Sequence, residues 1–113
     1  TLPEDVPAAI DQLLKAYNAH RLHPFEEIVA FHVAFERIHP FQDGNGRIGR
    51  LIMFKECLTN AIVPFVIEDD MKIYYYRGLA EWDTEQGFLI DTCRAAQDRF
   101  KTTLDYFRID CSQ

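Results

Sequence analysis

Apolar residues recur every three or four positions along most of this chain, which is the spacing of one face of an α-helix. A first helix is predicted to begin after Asp5, which can cap it, with Pro7 in its opening turn. A second is predicted to begin near Pro24 and Phe25 and to end at His39, because the proline that follows disfavours helical geometry there. The apolar stripes are Val6, Ile10, Leu13, Leu14 and Tyr17 in the first helix, and Ile28, Phe31, Phe35 and Ile38 in the second.

The segment from Arg47 to Asn60 is predicted to form a third helix that is apolar on most of its sides. Its apolar positions are Ile48, Leu51, Ile52, Met53, Phe54, Cys57 and Leu58. A helix without a broad polar face is typical of the centre of a bundle, so we expect it to be buried.

Two further helices are predicted in the second half of the chain. Asp69 or Asp70 can cap a fourth helix that runs through Trp82, and a fifth extends from about Thr84 to Phe107. The stripe of the fifth helix is Phe88, Cys93, Ala96, Phe100, Leu104 and Phe107.

No segment has the alternation of apolar and polar residues that marks a β-strand. Residues 63–67, which Pro64 interrupts, are predicted to form an irregular apolar connection, although a short hairpin or extended piece stays open there. The pattern therefore predicts an all-α fold, a bundle of about five helices with a loop between the two central ones.

Composition adds limits on size, location and partners. The 113 residues, with 48% hydrophobic and 13% aromatic residues, are enough to fill the core of a single domain over residues 1–113. The formal net charge of −6 disfavours a chain that neutralises nucleic acid or an anionic membrane, so any phosphate must be bound by a local site. Cys57, Cys93 and Cys111 lack metal-ligand or disulfide-scaffold spacing, and no apolar run reaches the roughly 18 residues of a membrane span. We therefore expect a soluble cytoplasmic protein with free thiols and with neither a nucleic-acid nor a membrane partner.

Three of the five glycines lie close together, at Gly44, Gly46 and Gly49, just before and within the start of the third helix. Gly44 and Gly46 lack a Cβ, so the backbone there can bend sharply and direct successive N–H groups toward one anion. The new helix adds its unpaired N-terminal N–H groups and the positive end of its dipole. This turn therefore predicts a phosphate-binding site.

Charged side chains around the glycine turn complete a site for phosphate chemistry. Arg47 and Arg50 are three positions apart, about 60° around a helix, so both guanidinium groups can reach one polyphosphate. Asp43 supplies an oxygen ligand suited to Mg²⁺. His39 can act as a general base, since its ordinary pKa lies near neutral pH. Phosphoryl and nucleotidyl transfers need mainly positioning and charge neutralisation, and this segment offers both.

The segment from His39 to Arg50 reads His-Pro-Phe-Gln-Asp-Gly-Asn-Gly-Arg-Ile-Gly-Arg. It resembles, at every defining position, the signature of the Fic family, which is His-Pro-Phe-x-Asp/Glu-Gly-Asn-Gly/Lys-Arg-x-x-Arg. A looser likeness continues in Ala30, His32 and Ile38 before the signature and in Tyr75, Tyr76 and Leu79 after it. The resemblance spans most of the chain, from about Ile10 to Phe107, and implies a single Fic-type catalytic domain.

By this resemblance, the chain is a protein adenylyltransferase that moves AMP from ATP onto a Ser, Thr or Tyr hydroxyl of a target protein. His39 would take the proton of that hydroxyl, and Asp43 would hold Mg²⁺ on the α- and β-phosphates. Asn45, with the amides of Gly44 and Gly46, would position the α-phosphate.

The resemblance also assigns the remaining residues of the signature. Arg47 and Arg50 would clamp the β- and γ-phosphates, while Phe41 would anchor the loop in the core and Pro40 would shape its start. Gly46 stands where the kinase-like Doc branch has lysine, which favours AMP transfer. Three alternatives stay open: transfer of another phosphate-bearing group, removal of AMP by activated water, and a nucleotide-binding module without chemistry. The histidine of the signature argues against the last, because a pure binder needs no base.

Two features usual in the family are not found in this sequence. One is a β-hairpin flap ahead of the catalytic helices, which aligns the target. The other is the inhibitory motif Ser/Thr-x-x-x-Glu-Gly/Asn, whose glutamate pairs with the arginine matching Arg50. We therefore expect a domain without the flap, and any such inhibition must come from another segment or from an antitoxin-like partner.

Three histidines outside the signature have both a structural and a functional interpretation. His32 lies two turns before His39 on the same face and could be a second catalytic group, but a hydrogen-bonded core histidine fits better. His20 and His23 have a spacing seen in metal sites, yet no Cys or carboxylate set joins them. We expect both in a solvated loop between helices.

The aromatic run Tyr74, Tyr75 and Tyr76 can either pack in the core or edge a nucleobase pocket. By resemblance to the family's Tyr-Tyr pair, Tyr75 or Tyr76 is the preferred contact with the base. Cys57 and Cys93 are expected to be small buried hydrophobes with no nucleophilic role.

Overall fold

The computed structural model describes residues 3–38 and 45–107, and within them it contains five α-helices and no strand. The helices are α1 (Val6–Asn18), α2 (Phe25–Ile38), α3 (Asn45–Thr59), α4 (Lys72–Ala80) and α5 (Gly87–Tyr106). Short 3-10 turns, Pro3–Asp5 and Asp69–Met71, precede α1 and α4. The predicted all-α fold of about five helices is confirmed for this part of the chain.

The helices enclose one apolar core. α2 packs against α1 and α3, and α5 packs along α4 and also contacts α2. The most deeply buried apolar side chains are Ile28, Val29, Val33, Met53, Cys57, Phe65, Tyr75, Leu89, Cys93 and Ala96. α1 contributes no fully buried residue, and Leu14 of its predicted stripe is 44% exposed. None of the described helices combines the length and the apolar character that crossing a bilayer requires.

α3 is less buried than its sequence predicts. Met53 and Cys57 lie in the core, at 2% and 0% exposure, but Leu51 and Leu58 are 67% and 58% exposed. Leu51 and Leu58 are two turns apart on one face, and no described element covers that face. The prediction of a helix buried on most sides is therefore wrong within the described chain, where α3 buries one face only.

The end of α3 directs the chain into the connection that leads to α4. The N–H of Ile62 donates to the carbonyl of Cys57 at 2.8 Å, the long hydrogen bond of a Schellman cap. Ala61 takes a φ of 56°, the left-handed geometry that glycine usually supplies at this position. Residues 63–67 then have no regular structure, as predicted, and Phe65 is buried in the core.

The start of α4 and the join between α4 and α5 differ from the predictions. Met71 occupies the cap position of α4, so the predicted side-chain cap by Asp69 or Asp70 is wrong. Asp70 instead accepts hydrogen bonds from Arg99 of α5 at 2.8 and 3.0 Å. Both helices are also shorter than predicted, because residues 81–86 form the turn between them.

α4 and α5 approach each other most closely at Gly78. A Cβ at this position would lie 2.7 Å from the backbone Cα of Leu89, so no larger residue fits without a backbone shift. Tyr75 lies one turn earlier on the same buried face of α4. The close contact therefore fixes the depth at which Tyr75 sits in the core.

Candidate active site

The predicted active-site segment runs into the first turns of α3. The structure describes its backbone from residue 45 onward, and Gly46, Arg47 and Arg50 lie in the first two turns of the helix. The residues outside the described part are His39, Pro40, Phe41, Asp43 and Gly44, together with the side chain of Asn45. The arginine side of the predicted site is therefore the part whose geometry the structure gives.

The guanidinium of Arg50 lies toward the start of α3. A Cβ on Gly46 would lie 2.9 Å from Nη1 of Arg50, so the glycine leaves room for the guanidinium. This direction is the usual one, because side chains of a helix lean toward its N-terminus. The unpaired N–H groups and the positive dipole end of α3 are in the same place. Two sources of positive charge meet at the start of α3, and such a site suits an anion.

One donor of Arg50 has no partner in the described part of the chain. Nη1 is buried, and no described group accepts a hydrogen bond from it. Leaving a buried donor unpaired costs about 1 to 3 kcal/mol, and more for a charged group. Unpaired buried polar atoms are therefore uncommon and need a specific explanation, such as a ligand that completes the bond.

Arg47 and Arg50 line one cavity together. The cavity has a volume of about 380 Å³ and lies between α3 and the connection of residues 63–67. Its other lining residues are apolar and are Leu51, Met53, Phe54, Phe65, Val66 and Ile67. Arg47 is exposed and Arg50 is half-buried, so the two side chains reach this space from different depths. That both bind one polyphosphate stays a prediction, which the shared cavity supports.

Beside Arg50, Tyr75 of α4 and His32 of α2 form a buried polar pair. Their residues are 0% and 1% exposed, and the Tyr75 hydroxyl shares a hydrogen bond with Nε2 of His32. Cζ of Arg50 lies 5.5 Å from the centre of the Tyr75 ring, within the range of a cation–π contact. The prediction that His32 is a hydrogen-bonded core histidine is confirmed.

Both members of this pair are uncharged at neutral pH. Burial lowers the pKa of His32 to about 4, opposed by the Gly49 backbone and reinforced by the Arg50 charge. The Gly49 backbone favours the protonated ring although Nδ1 of His32 makes no well-formed hydrogen bond to a described group. Burial also raises the pKa of the Tyr75 hydroxyl, Glu36 adds to the rise, and Arg50 opposes it.

The burial of Tyr75 favours the core position, one of the two interpretations that the sequence leaves open for this residue. A side chain at 0% exposure has no surface to offer a base, so Tyr75 is a core residue in this conformation. Tyr76 is 55% exposed, and its ring lies edge-on to that of Tyr75 with 5.2 Å between centres. Tyr76 is the tyrosine of the pair that stays a candidate for contact with the base.

Glu36 belongs to this region, and reasoning from the sequence missed it. Its carboxylate contacts Gly49 at the place where any Cβ would clash, so α2 and α3 meet there through a glycine. Glu36 follows His32 by one helical turn on the same face of α2. The four-residue spacing from His32 is the feature of the sequence that would have included Glu36 in the site.

Of the two histidines predicted in a solvated loop, His20 and His23, only His20 is exposed. His23 is 6% exposed, so the prediction of a solvated position is wrong for this side chain, whereas His20 is exposed. The ring of His23 stacks on that of Tyr17 with 3.7 Å between centres, and its Nδ1 lies 3.0 Å from a carboxylate oxygen of Glu27. Among the described residues, no three His, Cys, Asp or Glu side chains are grouped as metal ligands. The predicted Mg²⁺ ligand of the signature lies outside that part.

Comparison with known proteins gives one family and several curated relatives. A sequence model of the Fic/DOC family matches residues 1–57. The chain is 30% identical over 94 residues to protein adenylyltransferase Fic of Drosophila mojavensis, and 34% identical over 86 residues to the protein of the same name from Nematostella vectensis. It is 29% identical over 92 residues to a probable protein adenylyltransferase of Aquifex aeolicus.

These alignments cover most of this chain but little of the relatives. They include 83%, 67% and 81% of the chain for the Drosophila, Nematostella and Aquifex proteins, respectively. In the same order they include 18%, 20% and 27% of those proteins. The likeness therefore concerns one region of much longer relatives.

Proposed function

This chain belongs to the Fic/DOC family, and on that premise we propose that it is a protein adenylyltransferase, which moves AMP from ATP to a Ser, Thr or Tyr hydroxyl of a target protein. The observation that carries this proposal is the buried Nη1 of Arg50, which has no acceptor among the described residues. Relatives named protein adenylyltransferase support transfer of a nucleotide. The relatives are much longer than the region that they share with this chain. The activity of the whole protein is therefore proposed and not taken from their names.

The phosphates of ATP bind at the start of α3. Arg50 and Arg47 hold the β- and γ-phosphates, and the cavity that both arginines line gives them access to one ligand. The first N–H groups of α3, with Gly44, Asn45 and Gly46, hold the α-phosphate. Each well-made bond between a guanidinium and a phosphate oxygen contributes about 1.5 to 3 kcal/mol.

His39 is the general base in this proposal. It takes the proton of the target hydroxyl, and the oxygen forms a bond to the α-phosphorus of ATP. The bond between that phosphorus and the oxygen bridging to the β-phosphate breaks, and pyrophosphate leaves. His39 follows directly on α2, whose buried face is anchored in the core through Val29 and Val33, so the base is attached to a rigid element.

The remaining parts of the site are proposed from the signature. Asp43 would hold Mg²⁺, which would supply charge neutralisation for the phosphates. Pro40 shapes the start of the loop, and Phe41 anchors it in the core. Tyr76 edges the nucleobase pocket, and its 55% exposure leaves its ring available to a base.

The proposed partners are the target protein and a source of inhibition. A glutamate from another segment or from an antitoxin-like partner competes with the γ-phosphate for Arg50. A cytoplasmic location is proposed because Cys57 and Cys93 are free thiols, which are typical of a reducing compartment.

ATP labelled at two positions tests the proposal. The chain is incubated with Mg²⁺ and a protein extract, with the label either on the α-phosphate or on the γ-phosphate, and labelled sites are identified by mass spectrometry. We expect transfer of the α-label only, and none from His39→Ala. Transfer of the γ-label would make the protein a kinase. Binding of ATP without transfer of either label would make it a nucleotide-binding module. Release of AMP from a modified target would make it a hydrolase.

A further inference from the structure

We propose that Tyr75 is a positioning residue that orients the guanidinium of Arg50, and that His32 fixes the Tyr75 hydroxyl in the required place. The inference rests on the proposed function for one point, which is that Arg50 binds phosphate. The geometry on which it stands belongs to three described side chains from α2, α3 and α4.

The ring of Tyr75 gives Arg50 a fixed surface to lie against. Cζ of Arg50 lies 5.5 Å from the ring centre, and Tyr75 itself has 0% exposure, so its ring cannot move without disturbing the core. An arginine side chain has many rotamers and loses conformational entropy when it is ordered. A ring that holds the guanidinium before a ligand arrives removes part of that cost from binding.

The hydroxyl of Tyr75 is held from its other side by His32. The two groups share a buried hydrogen bond across 43 positions of sequence, which ties α4 to α2. His32 is neutral because burial lowers its pKa to about 4. With its proton on Nδ1, Nε2 accepts the hydrogen of the Tyr75 hydroxyl. Both lone pairs of the hydroxyl oxygen are then left for the guanidinium, which acts on the Tyr75 pKa as a nearby donor.

A tyrosine in this place orients Arg50 without neutralising it. The Tyr75 hydroxyl keeps its proton, because burial raises its pKa, so it contributes a dipole and no negative charge. Nη1 of Arg50 meanwhile keeps a buried hydrogen with no described acceptor. The side chain is thus ordered while one of its buried donors remains available to an anion.

The first experiment measures the order of Arg50 directly, with no nucleotide present. Tyr75→Phe keeps the ring and removes the hydroxyl, and Tyr76→Phe makes the same change at the neighbouring exposed tyrosine. The side-chain Nε–H signal of Arg50 is followed by nuclear magnetic resonance and is assigned by its loss in Arg50→Lys. We expect it to shift and to exchange faster with water in Tyr75→Phe and to be unchanged in Tyr76→Phe. An unchanged signal in folded Tyr75→Phe overturns the proposal.

The second experiment is a double-mutant cycle on ATP affinity. Tyr75→Phe should weaken ATP binding about 5- to 10-fold in the parent chain, through lost pre-organisation. In the Arg50→Lys background the same change should have no further effect. An equal loss in both backgrounds would mean that Tyr75 acts through general packing and would overturn the proposal. If the parent chain binds no ATP, the proposed function fails, and the Arg50 signal still decides the role of Tyr75.

A second variant covers the case in which Tyr75→Phe does not fold. His32→Gln keeps the Tyr75 side chain and replaces the group that fixes its hydroxyl. Faster exchange of the Arg50 signal in this variant supports the proposal, and an unchanged signal overturns it. The thermal unfolding midpoint of each variant shows that the compared chains are folded.

Discussion

The chain contains two pairs of a histidine with a tyrosine, and they differ in whether their polar atoms have partners. In the pair near the start of α2, the rings of His23 and Tyr17 stack at 3.7 Å, and the Tyr17 hydroxyl donates to a carboxylate oxygen of Glu56 at 2.8 Å. The backbone N–H of His23 donates to the side-chain oxygen of Asn60 at 2.7 Å. These bonds tie together α1, the start of α2 and the end of α3.

The pair formed by His32 and Tyr75 is buried more deeply, yet its surroundings are incomplete. Nδ1 of His32 and Nη1 of the adjacent Arg50 have no hydrogen-bond partner among the described residues. Folding alone favours paired polar atoms, because each unpaired one lowers stability. Residue type alone therefore does not separate a structural cluster from a functional one. The partners of the buried polar atoms do separate them.

The largest expected effect is on catalysis, at the proposed active site near the His32 and Tyr75 pair. His39→Ala should lower the rate of AMP transfer by about 10² to 10⁴-fold, because the general base is lost. ATP affinity should stay nearly the same, since the base acts on the incoming hydroxyl and contributes little to holding phosphates. Transfer rates and calorimetric ATP binding check this, with His20→Ala as the control at an exposed histidine. Turnover close to that of the parent would remove the assignment of His39.

The next effect is the pH dependence of stability contributed by His32. Its pKa is about 4 in the folded chain against 6.5 ordinarily, so between these values the unfolded chain binds a proton that the folded chain does not. The free energy of unfolding therefore falls as pH falls through this window, by on the order of 3 kcal/mol in total. His32→Gln should lack this component in urea unfolding from pH 7 to pH 4. A constant stability difference between the two proteins over that range would contradict the burial of a neutral His32.

Much of the fold followed from the spacing of apolar residues, because a helix needs one face to bury, and every described helix except α1 has fully buried residues on such a face. The ends of helices were predicted less well. Asp69 and Asp70 are good capping residues, but their carboxylates form ion pairs with Lys72 and Arg99, respectively. These ion pairs form instead of a hydrogen bond that caps the helix. Periodicity also cannot say whether another element covers a given face. Leu51 is therefore exposed although its helix is apolar on most sides.

The features of the candidate site also differ in whether the sequence could predict them. The signature predicts Arg47 and Arg50 as site residues from their positions alone, because the residues proposed for phosphate binding follow one another closely in the sequence. It could not identify the contact between His32 and Tyr75, because these residues are 43 positions apart and spacing does not say which helices meet. The same limit explains why the sequence left open whether Tyr75 packs in the core or contacts a base, and why Leu89 was left out of the buried stripe of α5.

A smaller effect is expected from Arg50, which lies beside the His32 and Tyr75 pair. Arg50→Ala should weaken ATP binding by about 1.5 to 3 kcal/mol, the usual contribution of a charge-assisted bond. The free energy of unfolding should change little, because the lost contact with the Tyr75 ring is offset by removal of a buried donor that has no described acceptor. Arg37→Ala is the matched control, since Arg37 is exposed and donates to Asp83 at 2.9 Å. Calorimetric ATP affinity equal to that of the parent would show that Arg50 does not bind phosphate.

The smallest effect should come from the pair of His23 and Tyr17, whose polar atoms have partners. A change there should affect stability and not ATP binding. Tyr17→Phe keeps the stacked ring and removes the hydroxyl that donates to Glu56 at 2.8 Å. The chain should lose about 0.5 to 1.5 kcal/mol of stability, the net value of one hydrogen bond, because the partly buried carboxylate of Glu56 loses a donor. ATP affinity and transfer rate should be unchanged, since none of the described contacts of Tyr17 involves the start of α3. Urea unfolding and ATP calorimetry on the same samples make the test. A weakened ATP affinity in Tyr17→Phe would show that the two pairs are coupled, and the separation between a structural and a functional pair would then be wrong.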